Sequence, residues 1–146
     1  MDGVRERFRA LRDSPTEVVA AEYERVASSY ASSGPGRSAS RGPLDLSSFP
    51  TNEAGQRVID SGAYAWLASE LLSEAGFEPF EGAGYRVLKR STDPDDPSAT
   101  TVAHAYLGVR RDNGEEIWTS NGRAFTGTDA DEKCLSDAFA IMATAG

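Results

Sequence analysis

Val4, Phe8 and Leu11 recur at helical spacing and predict a short amphipathic helix at the start of the chain. "SPTE" resets it: Ser14 is placed to cap, Pro15 suits a first helical position, and Glu17 sits where a capping box wants an acid. Val19, Tyr23, Val26 and Tyr30 then follow at i, i+4, i+7 and i+11, one stripe of a second helix reaching about Ser32. "SSGPGRSASRGP" carries no large hydrophobe and predicts a linker, with Leu44, Leu46 and Phe49 of "LDLSSFP" placed to pin its far end. The pattern divides the chain into a helical N-terminal arm (1–33), a flexible Gly/Ser/Pro linker (34–50) and a body (51–146).

In the body, a helix runs from about Glu53 or Asp60 to Ala75, with Ile59, Ala63, Trp66, Leu67 and Leu71 on one side. Gly76 suits the position after a helix end, and Phe77 falls where a Schellman motif packs it on Leu72. "YRVLKRST" predicts a first strand, and "DPDDP" a loop, because its prolines cannot donate to a ladder. "ATTVAHAYLGVRR" predicts a long second strand. Thr101, Ala103, Ala105, Leu107 and Val109 share one face of it; Val102, His104, Tyr106 and Gly108 share the other. Asn113-Gly114 predicts a type I′ hairpin into "EEIWTS", and Asn121-Gly122 a bulge or further tight turn in the third strand. The final helix is expected from Thr128, with Asp131 completing a capping box and Leu135, Ala138, Phe139 and Met142 as its buried stripe. The fold expected is α+β: an α-β-β-β-α body whose three-stranded antiparallel sheet has one face covered by two helices, plus the helical arm.

Composition narrows the partners. With 146 residues, 39% hydrophobic and 26% charged, the chain can bury one real core. A net charge of -8 opposes general attraction to nucleic acid or anionic lipid. The opening "MDGVRERFRALRD" has no apolar signal-peptide core, and "FAIMA" is too short for a membrane span, which predicts a cytoplasmic protein, or one assembled there into a larger particle.

Candidate chemistry is sparse. His104, the chain's one histidine, reads as a half-buried sheet residue without a nucleophile or orienting acid in local sequence. Cys134, the one cysteine, lies beside Lys133 near a helix start and is expected to pack rather than react. Asp93, Asp95 and Asp96 are hard oxygen donors, but "DPDDP" lacks the glycine and distal glutamate of a calcium loop. "EGAGYR" and "SSGPGR" do not join a strand to a helix, so phosphate cradling is not expected. No catalytic, cofactor-binding or metal-ligating residue is assigned.

Two families resemble this plan. "LLSEAGFEPFEGAGYRV" and "GTDADEKCLSDAFAIM" are similar in spacing to the two halves of a double-stranded-RNA-binding domain. Where that family sets lysines against phosphates, this chain has Asp129, Ala130, Asp131 and Glu132, with Lys133 alone basic. Residues 85–144, with a "DNG" turn, a glycine-containing third strand and an Ala-rich helix, resemble the C-terminal regulatory domain of isopropylmalate synthase. That resemblance implies a dimerising, ligand-sensing module without catalytic residues.

The leading functional expectation is a non-catalytic interaction or assembly protein. A solitary amphipathic helix cannot offset its own ordering entropy, so the arm must dock on its own body, a sister subunit or another partner. Val19, Tyr23, Val26, Tyr30, Phe49 and Trp118 are the residues expected to meet a protein partner or a second copy. A ligand-sensing regulatory domain and a degenerate RNA-binding module are the alternatives; nucleic acid and membrane are not expected partners.

Overall fold

The computed structural model describes residues 2–33, 40, 42–80, 86–91 and 101–143, with 86–91, 101–103 and 142–143 described by backbone alone. The expected "DPDDP" loop, residues 81–85 of "EGAGYR", most of the linker and the side chain of Met142 lie outside the described residues. In chain order the elements are α1 (Asp2–Arg9), α2 (Thr16–Ala27), β1 (Ala31–Ser32), a 3-10 turn (Leu46–Ser48), β2 (Val58–Ile59), α3 (Ser61–Glu74), β3 (Glu78–Pro79), β4 (Arg86–Ser91), β5 (Thr101–Arg110), β6 (Glu116–Ser120), β7 (Arg123–Phe125) and α4 (Ala130–Ala143). The fold is α+β. β1 and β2 form a small parallel pair, and the remaining strands form one antiparallel sheet ordered β3-β5-β6-β7, with β4 along the first half of β5.

The helices do not share one face of the sheet. Strand alternation sends Ala105, Leu107, Val109 and Ile117 into a core with α1, α2 and α3, and sends Tyr106 and Trp118 into a second cluster with Ala130 and Cys134 of α4. The sheet is therefore sandwiched between three helices and one.

Local chemistry sets the element ends. The Asp60 carboxylate accepts the Ala63 amide at 2.8 Å and starts α3, so of the two expected starts the later one holds. Phe77 N–H returns to the Leu72 carbonyl at 2.9 Å and Gly76 N–H to Ser73 at 3.0 Å, the expected Schellman pair. α2 departs from expectation: Pro15 is its N-cap, and no side chain caps it. Ser14 instead offers its carbonyl to Arg111 Nη1 at 2.7 Å. α2 also stops at Ala27, because residues 31–32 are drawn into the parallel pair with Val58 and Ile59.

The two Asn-Gly pairs exchange roles. Asn121 (φ 48°) and Gly122 (φ 83°) both take positive φ between the paired Ser120 and Arg123, as a two-residue type I′ turn requires. At the first hairpin only Gly114 (φ 88°) does so, and Arg111 and Glu115 close a three-residue loop around it. The expected type I′ turn at Asn113-Gly114 is therefore a longer turn with its glycine last.

The arm and the far end of the linker are parts of the core. Phe8, Val19 and Tyr23 are fully buried together with Leu67 and Leu71 of α3. Arg5 to Glu70 and Arg9 to Glu74, each 2.7 Å, tie α1 to α3 at the rim. Leu46 is buried, and Leu44 and Phe49 pack on the same cluster, so the far end of the linker is pinned as its hydrophobes suggest. On the sheet's free side, Glu24 of α2 accepts the Ala124 amide of β7 at 3.0 Å.

Tyr23→Ala is expected to destabilise the protein by about 3–5 kcal/mol, the scale for emptying a buried aromatic site. Urea denaturation followed by far-UV dichroism measures it; a change within experimental error would show that the arm is not part of the core.

Candidate functional site

The six residues nominated from sequence all turn inward. Val19 and Tyr23 have no accessible surface, and the Tyr23 hydroxyl donates to the Tyr64 carbonyl at 3.4 Å. Val26, Tyr30 and Phe49 are half-buried against the same core. Trp118 is 7% exposed: it stacks on Tyr106 (centroids 6.3 Å apart), meets Phe80 edge-on (6.1 Å), and donates from Nε1 to Glu116 at 2.9 Å. Arg110 covers Phe80, 3.9 Å from its ring centre. Gly108, paired with Trp118, makes room for the indole; a Cβ there would sit 2.8 Å from the ring. As a partner-binding set these residues are spent on intramolecular packing, because an amphipathic helix on a short tether finds its own body first.

What remains outside is Phe139, 61% exposed, against the expected burial. The stripe of α4 that meets the sheet is Ala130, Cys134 and Ala138 at i, i+4 and i+8. Small side chains let the helix lie close over Tyr106 and Trp118, and that rotation turns Phe139 outward while leaving Leu135 half-buried beside Phe80 and Phe125. The sequence held the signal, a small residue every fourth position, but ranking hydrophobes by size selects the wrong stripe.

Beneath α4 lies a polar group that local sequence could not assemble. His104 on β5 is fully buried, with Nε2 2.8 Å from Ser120 Oγ on β6. Among the described residues its Nδ1 has no hydrogen-bond partner, and neither does the buried Oδ2 of Asp137 on α4. The other Asp137 oxygen holds Arg123 Nη1 at 2.5 Å. Cys134, one helical turn away, points Sγ at the Thr119 carbonyl at 3.5 Å. Burial lowers the His104 pKa below its ordinary 6.5, against the opposing pull of Asp137. Burial also pushes the Cys134 thiol up to about 12, with Asp137 and Asp131 adding to the effect, so it stays protonated and unreactive. A serine and a histidine in contact suggest nucleophilic chemistry, but Ser120 is 2% exposed and sealed from any substrate in this structure.

At one end of the sandwich, Glu17, Glu115, Glu116, Asp129 and Asp131 line an open cleft of about 410 Å³ between the α2 start, the β5–β6 hairpin and the α4 start. Glu115 is held below the usual carboxylate range by hydrogen bonds from Thr16 and Asn113. α4 begins at Ala130, after Asp129 at φ 63°, and not at the expected Thr128. Among the described residues, no group of three or more His, Cys, Asp or Glu converges closely enough to hold a metal ion, and no helix is long and apolar enough to cross a membrane.

No family model, curated protein or solved structure matches this chain.

Gly108→Ala is expected to cost about 1–3 kcal/mol by forcing the Trp118 ring off its seat. The near-UV dichroism of the aromatic cluster should weaken with it. An unchanged denaturation midpoint would show that the ring yields freely.

Proposed function

We propose that the protein is a non-catalytic assembly protein that associates with a second copy of itself through the outer side of α4. The observation that carries this is the exposure of Phe139. Among the described residues the other large apolar side chains are buried or half-buried, and only Val18 is comparably exposed. An aromatic held on a regular helix is the kind of anchor that protein interfaces favour, because it offers a large contact area at small entropic cost. Beside it runs a shallow groove lined by Arg123, Phe125, Lys133, Ser136 and Ala140, an apolar floor with a charged rim.

The acidic cleft supports a protein partner over nucleic acid. The five carboxylates of that cleft, two of them at the start of α4, repel phosphate near where an RNA-binding domain would gather it. Docking by the N-terminal arm drops out of the proposal, since Val19 and Tyr23 are already buried.

Sedimentation velocity over a wide concentration range tests the proposal. The wild type should show concentration-dependent association, and Phe139→Ser should abolish it with the melting temperature unchanged. A single monomeric species at every concentration, or equal association by the variant, overturns it.

A further inference from the structure

We propose that His104 and Asp137 form an internal proton-responsive latch that sets how firmly α4 is seated on the sheet, with acid loosening the helix. The inference goes beyond self-association and holds whether or not Phe139 meets a partner.

The geometry singles out this helix. α1, α2 and α3 are held to the sheet and to each other by Phe8, Tyr23, Leu67, Leu71 and Leu72, all without accessible surface. Among the described residues α4 is seated on the small side chains of Ala130, Cys134 and Ala138, with Leu135 half-buried beside them, so less apolar area holds it down. Under that seat lie two buried polar atoms without partners among the described residues, His104 Nδ1 and Asp137 Oδ2, on facing elements. An unmatched buried pair lowers the stability of whatever covers it, so the contact between α4 and the sheet is already compromised where His104 sits.

The surroundings decide the sign. From β6, His104 meets the neutral Ser120 hydroxyl. From α4 Asp137 acts on it, and from β7 Arg123 already occupies one Asp137 oxygen. On β4 its ladder partner is Leu88, with Lys89 and Arg90 following along that strand. α3 lies behind the opposite face of β5 and offers Ser61, which accepts the Ala105 amide. A proton on His104 therefore creates a buried cation whose one acidic neighbour among the described residues is partly neutralised by an arginine. Lifting α4 admits water and removes that cost.

The depressed value in the seated state means that the lifted state takes up the proton more readily. The advantage of the seated state is complete above about pH 6.5. It falls as pH drops from there through the seated value, approaching roughly tenfold in the opening equilibrium for each pH unit inside that window. Glu74, Glu115 and Glu116 are held below the ordinary carboxylate value and titrate lower, outside the window.

Because the chain has one histidine, its imidazole can be titrated by NMR in the wild-type protein without ambiguity. The expected result is a midpoint below 6.5. Alongside it, hydrogen exchange corrected for intrinsic rate should accelerate across residues 130–143 between pH 7.5 and 5.5, while α3 stays protected. His104→Gln should remove the pH dependence of α4 exchange. A midpoint at or above 6.5, an acid-strengthened α4, or acceleration shared equally by α3 would each overturn the latch. The wild-type titration decides the matter even if the glutamine variant fails to fold.

Discussion

Everything in this molecule is arranged around strand β5, which is buried on both faces. A ten-residue strand that must satisfy two apolar surroundings at once leaves little freedom to its neighbours. Its odd positions demand the three-helix layer, its even positions demand α4, and its two edges are taken up by β3, β4 and β6. The residues of β5 record this double duty. Leu107 and Val109 are bulky where the thick layer lies, while Gly108 and His104 stand on the side where a single helix lies close.

The two faces differ in kind, and that difference organises the stability of the whole. One side is a continuous apolar core reaching from Phe8 to Ile117, built from elements far apart in sequence. The other is a small aromatic group of Tyr106, Trp118 and Phe80, roofed by alanines and a cysteine and bordered by a histidine, a serine and an aspartate. Local opening should concentrate on the thin side, where each residue that lifts away exposes little hydrocarbon.

How much of this was legible in the sequence follows from how local each signal is. The Schellman end of α3, the Asp60 start, the alternation along β5 and the presence of two tight turns depend on residues within a few positions of one another, and they read correctly. The position of the type I′ turn did not, because two Asn-Gly pairs compete and the choice rests on how many residues each loop must span. That the arm must dock was legible, but its own body, a sister subunit and another partner could not be told apart, because the burial of Tyr23 depends on α3, some forty positions away. The sheet covering failed for the same reason: period-2 alternation names two faces without saying which helix takes which. The His104, Ser120 and Asp137 group joins three elements, and no spacing rule could have assembled it.

The carboxylate of Glu24, bonded to the Ala124 amide, has a consequence for the fate of the protein in concentrated solution. β7 is a short terminal strand whose outward backbone groups would otherwise template a foreign strand. By occupying one of those donors with a side chain from α2, the chain stops its sheet from growing in that direction. α2 thus covers one open donor on the edge of the sheet as well as contributing Val19 and Tyr23 to the core.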